Sequence, residues 1–342
     1  MPGADARLDL LRATGRAHGA RLYVGVGTGG LAFADPEHAL LIVGPPRSGK
    51  TTALVVPNVL AAPGGVVSTS TKPDVLAATV AVRASVGRCW LFDPTGTVTA
   101  PEGVAVLRWS PVCASARWDD ALTTARAMVA TARPGGRWGE SSHWSERAEA
   151  LLAPLLHAAA LGRSGTGGDD GTGGGDMRTV VGWILRRDAD SAHRRLAARG
   201  ASVAVDVLAG ITATDSREQS GIWSTAAGVV AAYRSDAALG AGDNPNYDPA
   251  RLSANSDTVY ICAPAQRQDL VAPIVVAFLQ AVRTGAYATA EADRRAGRTG
   301  RPPVVLALDE AANIAPVPDL PAIVSEGGGQ GLVTIASIIT TT

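Results

Sequence analysis

The chain has 342 residues and no formal net charge at pH 7, with 31 basic side chains balanced by 31 acidic ones. This length suffices for one large domain or two ordinary ones with a sizeable core. Without a global positive field, any contact with nucleic acid must be local or arise in an assembled ring. The three cysteines are widely separated, which favours reduced thiols over a disulfide scaffold or a cysteine metal site.

The N-terminal region of the given sequence is not predicted to be a signal peptide. Residues 1–19 are predicted to be a mixed, charged lead-in segment without the apolar core of a signal peptide. Short alternating runs at 21–24 and 31–33, separated by glycines, predict a β-hairpin. No stretch reaches the eighteen or more apolar residues of a membrane span, so the chain as given is predicted to be cytoplasmic.

A phosphate-binding motif follows the hairpin. Ala39–Val43 is a short apolar run, typical of a buried parallel strand. It leads into Gly44-Pro-Pro-Arg-Ser-Gly-Lys50-Thr51, which fits the pattern G-x-x-x-x-G-K-[ST]. Lys50 is one of only two lysines in a chain that otherwise uses arginine. A compact ammonium reaches between phosphates where a planar guanidinium is too bulky, which favours this interpretation over a chance glycine-rich turn.

The helix after this loop is predicted over residues 50–62, with Pro57 kinking it or ending its regular hydrogen bonding. The loop amides and the N-terminus of the helix would point at the phosphates. The Thr51 hydroxyl would then be a ligand of Mg²⁺. The motif therefore predicts binding of ATP or GTP.

Further apolar runs at 66–69, 89–92 and 104–107 alternate with helix-length segments, which predicts a parallel sheet covered on both faces. Lys72, the other lysine, follows the first of these strands, which we expect beside the P-loop strand. Ligands collect at such strand ends in open α/β sheets, so Lys72 is a candidate nucleotide contact, within or across subunits. The alternative is a surface turn fixed by Pro73.

A helical block interrupts the strand pattern. Residues 117–252 are predicted to be an inserted all-α domain, with a flexible glycine-rich loop at 162–176 and helix breaks near Gly200 and Gly210. The nucleotide-binding domain is then split into a first part, residues 20–116, and a second part, residues 253–342.

The second part contains an acidic pair. After a strand at 258–262 and a helix at 269–294, the apolar run Pro303–Leu308 ends in Asp309 and Glu310. A buried strand that presents an aspartate to Mg²⁺ has the Walker B form, and the adjacent glutamate is a candidate base for the attacking water. A solvated turn is the alternative, but the P-loop favours an ATP-hydrolysing set of Lys50, Asp309 and Glu310.

Several motifs together resemble one known family. They are the P-loop run, Ser-Thr-Lys-Pro-Asp after the second strand, Phe-Asp-Pro after the third, and Leu-Asp-Glu-Ala-Ala-Asn313-Ile at the acidic pair. With the helical insertion, they are similar to the TraG/TraD coupling proteins, ATPases of type IV secretion and bacterial conjugation. The resemblance runs from about Leu40 to Ile338.

The resemblance implies a RecA-like P-loop NTPase of α/β class, with a mostly parallel sheet and an inserted all-helical domain. It further implies a homo-hexameric ring at the cytoplasmic face of the membrane, which delivers single-stranded DNA with its relaxase to type IV secretion channel components. ATP and Mg²⁺ are the expected cofactors. The nucleotide-binding residues would be Gly44, Pro45, Pro46, Arg47, Ser48, Gly49, Lys50, Thr51, Thr52 and Lys72, with Thr51 and Asp309 holding Mg²⁺.

Two departures from the family pattern predict a chain truncated at both ends. The family begins with membrane helices, and it continues past the last predicted strand, Leu332–Ala336, with a sensor glutamine. Here the tail Ser337–Thr342 loses charge and pattern. Two alternatives therefore stay open: a catalytically impaired nucleotide-binding adaptor that recruits relaxosome proteins through its helical domain, and a related DNA-pumping motor. The candidates for DNA contact are Arg186, Arg187, Arg194 and Arg195. The alternative is that these arginines form ordinary solvated helix faces.

Overall fold

The computed structural model describes residues 9, 21–132, 140–163, 175–318 and 320–339. Most of the lead-in segment and residues 164–174 of the predicted glycine-rich loop lie outside the described residues. The chain divides into two compact units. The sheet unit comprises Met1–Leu107, Asp248–Gln268 and Val282–Thr342, and the helical unit comprises Arg108–Tyr247 and Asp269–Ala281.

Nine strands lie in the described part of the sheet unit, and all of them coincide with predicted apolar or alternating runs. β1 and β2 form an antiparallel hairpin, as predicted. The other seven strands form one sheet, in the order β3-β9-β8-β4-β7-β5-β6. The bounds are β1 Tyr23–Gly27, β2 Gly30–Phe33, β3 Leu40–Gly44, β4 Val66–Ser70, β5 Cys89–Phe92, β6 Ala105–Val106, β7 Thr258–Cys262, β8 Val304–Leu308 and β9 Leu332–Ile339.

Every pair of neighbours in the large sheet is parallel, so all seven strands end at one edge. Four of them (β4, β5, β7 and β8) are buried at every position, which explains their continuous apolar sequences. The prediction that β4 lies directly beside β3 is wrong, because β9 and β8 lie between them. Strand neighbours are a tertiary property that the local sequence does not record.

β9 is longer than predicted. It pairs with β8 from Val304↔Leu332 to Leu308↔Ala336 and with β3 from Leu40↔Ile335 to Gly44↔Ile339. Residues 337–339, which we expected to lie in a tail without pattern, are therefore strand residues. The interpretation of this part of the tail is corrected, since its apolar residues serve a strand with neighbours on both sides.

The helices are α1 Val56–Ala61, α2 Asp74–Arg83, α3 Trp118–Ala132, α4 Glu140–Arg163, α5 Met177–Arg186, α6 Ala189–Ala198, α7 Ser202–Thr212, α8 Ser216–Val229, α9 Asp236–Gly242, α10 Gln268–Arg295, α11 Ala311–Ile314 and α12 Leu320–Glu326. A π-helical turn, Thr51–Val55, precedes α1. Pro57 is the second residue of α1 and has no N–H to offer Ala53, so the predicted interruption falls at the junction of the two. Short 3₁₀ turns occupy Pro111–Ala114, Ala231–Arg234, Pro249–Ala254, Ala265–Arg267 and Gly328–Gln330.

Aspartates mark helix starts in the helical unit. Asp176, Asp188 and Asp215 each accept hydrogen bonds from backbone amides in the first turns of α5, α6 and α8. The helical pattern is interrupted at Gly200, as predicted, and again close to Gly210, which lies inside α7 shortly before this helix ends at Thr212. A helix-interior glycine costs only about 1 kcal/mol, which neighbouring contacts can offset.

The unit bounds differ from the predicted insertion at 117–252: the first segment of the helical unit is Arg108–Tyr247, and residues 269–281 also group with this unit. Phe278 explains this grouping. Its ring lies 5.2 Å from that of Trp109 and 6.2 Å from that of Tyr247, measured between centroids, and both partners belong to the helical unit. Such aromatic pairs add stabilisation beyond the area they bury.

One helix among the described residues passes a length and composition test for a membrane span. Leu270–Arg295 contains a stretch with a mean hydropathy of 1.5, of which 67% is buried inside the structure. Buried core helices of water-soluble proteins pass the same test. The apolar character of this helix is therefore explained by packing.

Arg83 is a wholly buried cation in the sheet unit. Its guanidinium donates to the carbonyl oxygens of Ala62, Gly64 and Ser256 and to the Thr258 hydroxyl, at 2.6–3.0 Å. The bonds join the C-terminus of α2 to the segments that lead into β4 and β7. Five donors in a fixed planar fork suit this task, which a lysine could meet only in part.

We expect Arg83→Leu to lower the free energy of unfolding by about 3 kcal/mol or more, because buried carbonyl oxygens lose their donor. The measurement is urea-induced unfolding followed by circular dichroism. Arg251→Leu is the matched control, since Arg251 is exposed and its side chain makes no hydrogen bond or ion pair in the described part of the chain. Equal midpoints for the two variants would contradict this role of Arg83.

Candidate nucleotide-binding site

The loop after β3 has the backbone of a phosphate cradle. Arg47 and Gly49 both adopt positive φ, at 61° and 82°. The positive φ suits a glycine at position 49, whereas it is uncommon for an arginine. At Gly44, an added Cβ would lie 3.1 Å from the Ser48 Oγ, so the start of the loop is also tight. The sequence therefore folds here into a narrow turn that leads directly into the π-helical turn.

The Lys50 ammonium is folded back over this loop. Its Nζ donates to the carbonyl oxygens of Gly44 and Pro45, each at 2.8 Å, and lies 3.5 Å from the Ser48 Oγ. An ammonium has three donors, and only two of these contacts are short. The third N–H makes only the long hydrogen bond to the Ser48 hydroxyl, which an anionic phosphate oxygen at the mouth of the loop would replace.

The two predicted motifs meet in a single hydrogen bond. The Thr51 Oγ1 donates to the Asp309 Oδ2 at 2.7 Å, although these residues are 258 positions apart in sequence. Asp309 is buried, and its amide donates to the Thr69 carbonyl of β4. The aspartate is thus fixed at the end of β8 and faces the first residue after the P-loop lysine.

A residue that the sequence analysis missed completes this arrangement. The Ser337 Oγ donates to the Asp309 Oδ1 at 2.5 Å and accepts a hydrogen bond from the Glu310 amide at 3.1 Å. Ser337 lies on β9, directly beyond the Leu308↔Ala336 pair. The available signal was a polar residue near the end of an apolar run, which Thr334 in the same run made ambiguous.

Glu310 occupies an unusual backbone position. Its φ and ψ are 51° and 46°, in the left-handed region, and its carbonyl accepts from the amides of Asn313 and Ile314. Its side chain is half-buried and makes no hydrogen bond or ion pair within the described residues. The carboxylate is therefore available to a ligand or a water molecule.

The donor set fits Mg²⁺ better than a metal held by protein ligands alone. Among the described residues, no group of three or more His, Cys, Asp or Glu side chains could hold a metal ion. Mg²⁺ is usually bound through one or two protein oxygens together with substrate phosphates and water. The Thr51 hydroxyl and the Asp309 carboxylate provide such a pair of oxygens.

Lys72 lies after β4, at the same edge of the sheet as Asp309. Its amide donates to the Ser70 Oγ, which in turn donates to the Asp74 carboxylate at 3.1 Å, so the loop has a fixed turn ahead of α2. The Lys72 side chain is exposed, and no hydrogen bond or ion pair of its ammonium lies within the described residues. A nucleotide contact by Lys72 stays a prediction.

The remaining predicted nucleotide contacts occupy the loop and its exit. Pro45, Pro46, Arg47 and Ser48 are exposed, as expected of a cradle that is open to a ligand. Thr52 is also exposed, and its Oγ1 donates to the Gly49 carbonyl at 3.2 Å, which closes the C-terminal side of the turn. The loop is thus braced at both ends by its own residues.

Three solved structures of coupling proteins share this fold. The bacterial conjugative coupling protein TrwBdeltaN70, in an unbound monoclinic form, gives a TM-score of 0.64 at 17% identity, over 97% of this chain and 69% of that chain. Plasmid coupling protein TrwB with ADP and Mg²⁺ gives 0.62 at 17% identity, over 96% and 70%. The same protein with the ATP analogue ADPNP gives 0.62 at 16% identity, over 96% and 70%.

These similarities, with the all-parallel sheet, confirm the predicted fold class: an α/β, RecA-like P-loop NTPase with an inserted all-helical domain. A search of curated protein sequences gave no match. A family model described as "Type IV secretory system Conjugative DNA transfer" matches residues 6–329, nearly the whole chain. The resemblance inferred from the motifs is thereby confirmed, and the chain belongs to the type IV secretory system conjugative DNA transfer family.

Proposed function

We propose that this chain is the ATP-binding motor core of a conjugative coupling protein, in which ATP hydrolysis drives transfer of relaxase-bound single-stranded DNA. The hydrogen bond between Thr51 and Asp309 carries the proposal, because it joins the phosphate-binding motif to the acidic pair. Membership of a conjugative DNA transfer family supports the same assignment. TrwB, which shares the fold, has been solved with ADP and Mg²⁺ and with ADPNP.

Each residue of the site has a role in this proposal. Residues 44–52 hold the phosphates through loop amides and the Lys50 ammonium. Thr51 and Asp309 hold Mg²⁺, which when bound neutralises charge on the phosphate oxygens. Glu310 orients the attacking water and accepts its proton, since its carboxylate has no competing partner in the described structure. Lys72 adds a second cation from the end of β4, either in the same subunit or across a subunit boundary of a homo-hexamer.

The proposed partners are single-stranded DNA, relaxase or relaxosome proteins and type IV secretion channel components, at the cytoplasmic face of the membrane. In the helical unit, Arg186, Arg187 and Arg194 are exposed and could contact the phosphates of DNA. Arg195 is buried, and its guanidinium carbon lies 5.2 Å from the centre of the Trp183 ring. We therefore assign Arg195 to packing and omit it from the DNA candidates.

We expect ATP turnover that rises when single-stranded DNA is added. Phosphate release is measured with and without DNA over a range of salt concentrations, because phosphate contacts weaken steeply as salt rises. In a parallel assay, binding of a fluorescent ADP analogue reports the nucleotide site without requiring hydrolysis.

The outcomes separate the proposed motor from its alternatives. DNA-stimulated turnover supports the motor. Nucleotide binding without turnover, with or without DNA, would favour the impaired adaptor that recruits relaxosome proteins. Absence of nucleotide binding would overturn both.

A further inference from the structure

Ser337 is placed between the two halves of the site. It lies on β9, which separates the P-loop strand β3 from the acidic-pair strand β8. It is paired in register with Ile42 of β3, and its side chain is completely buried. A buried hydroxyl is costly unless it is hydrogen-bonded, so its partners define what it does.

The two oxygens of the Asp309 carboxylate accept hydrogen bonds from different donors. Ser337 donates to Oδ1, whereas the Thr51 hydroxyl donates to Oδ2. Thr51 is the residue that the P-loop directs toward the phosphates, so Oδ2 is the oxygen on the metal side. With Oδ1 bound to Ser337, the carboxylate cannot rotate without breaking a charge-assisted hydrogen bond.

The same hydroxyl holds the backbone of Glu310. Left-handed φ and ψ values cost a non-glycine residue about 1–3 kcal/mol and persist only where the surroundings enforce them. The amide of Glu310 is bound to the Ser337 Oγ, and its carbonyl is bound to α11. Ser337 therefore fixes the side of Glu310 that α11 does not reach.

We propose that Ser337 is a positioning residue that links Mg²⁺ binding at Asp309 to the placement of Glu310 through one hydroxyl. The Asp309 carboxylate needs a hydrogen-bond donor and the Glu310 amide needs an acceptor at the same point. A small hydroxyl side chain supplies both. This inference rests on the proposed function, since it assigns Asp309 to the metal and Glu310 to the water.

β9 provides an internal comparison for this hydroxyl. Thr334 is also buried on β9, yet its Oγ1 has no hydrogen-bond partner in the described part of the chain. Packing of the strand alone therefore does not require a bonded hydroxyl. Thr334→Val is accordingly the matched control, as it removes a hydroxyl from the same strand and leaves the proposed site untouched.

The experiment compares Ser337→Ala with Thr334→Val in the full chain. Binding of a fluorescent ADP analogue is titrated with Mg²⁺ and repeated in EDTA, and hydrogen exchange is measured at the Glu310 amide. For Ser337→Ala we expect the half-saturating Mg²⁺ concentration to rise about tenfold, as for loss of a hydrogen bond to a charged group. The Glu310 amide, which is bound to an uncharged hydroxyl, should exchange about threefold to tenfold faster. Nucleotide affinity in EDTA should not change, and Ser337→Thr should restore both properties.

Three outcomes would contradict the positioning role of Ser337, and each has a different meaning. If the parent chain binds no nucleotide, the proposed function is overturned and the inference with it. If the parent chain binds Mg²⁺ and nucleotide but Ser337→Ala behaves like Thr334→Val, only the positioning role is overturned. An equal loss of affinity in EDTA and in Mg²⁺ would assign Ser337 to packing and overturn the link to the metal.

Discussion

Lys50→Ala should weaken ATP binding by about tenfold to a hundredfold, the range for loss of a hydrogen bond to a charged group. It should lower turnover by a further factor of about 10²–10³, because the ammonium also stabilises charge that develops during phosphoryl transfer. The physical reason is geometric. Nζ is already anchored to the Gly44 and Pro45 carbonyls at the mouth of the loop, so little reorganisation is needed when a phosphate arrives.

The measurements are titration with a fluorescent ATP analogue and phosphate release at saturating ATP. Arg251→Ala is the control, as it removes one positive charge from an exposed position whose side chain makes no hydrogen bond or ion pair within the described residues. Lys72→Ala removes the other ammonium, and we expect it to lower turnover with little effect on binding. Unchanged ATP affinity in Lys50→Ala would contradict the phosphate role of the loop.

Glu310→Gln should lower ATP turnover by about a hundredfold or more while nucleotide binding is retained. The substitution keeps the shape and the left-handed backbone of the residue but removes the base, and general bases contribute about 10²–10⁴-fold. Asp309 and Ser337 remain in place, so Mg²⁺ binding should be preserved. The variant should therefore accumulate bound ATP, detectable by quenching the protein–nucleotide complex and separating ATP from ADP.

Glu326→Gln is the matched control for this change. Glu326 ends α12, is exposed, and its carboxylate makes no hydrogen bond or ion pair within the described residues. We expect it to retain turnover within about twofold, as surface substitutions usually have small effects. Full activity in Glu310→Gln would assign the base to another residue, and loss of nucleotide binding would assign Glu310 to the cradle.

The sequence predicted the parts of the site that depend on local patterns. The cradle requires glycines and a lysine at fixed spacing, and the acidic pair requires a buried strand that ends in Asp309. Both are visible within about ten residues, as are most of the strands. A parallel sheet also places all strand ends at one edge, which is why residues as far apart as Thr51 and Asp309 could be expected together.

The sequence did not predict the order of the strands or the function of Ser337. Strand order depends on which apolar faces pack best in three dimensions, and β9 between β3 and β8 leaves no local signature. Ser337 acts through Asp309 and Glu310, which directly follow β8, and one of its bonds is to a backbone amide. The grouping of residues 269–281 depended in the same way on a distant partner, Trp109, for the Phe278 ring.

The position of β9 between β3 and β8 has a consequence for biosynthesis. Residues 332–339 leave the ribosome after every other strand of the sheet, yet β3 and β8 contact each other only through them. Until β9 emerges, the nascent chain exposes the open edges of two apolar strands, a hazard for aggregation. Closure of the sheet and completion of the proposed nucleotide site would thus be one event, so we expect a ribosome stalled before residue 332 to carry a chain that does not bind ATP.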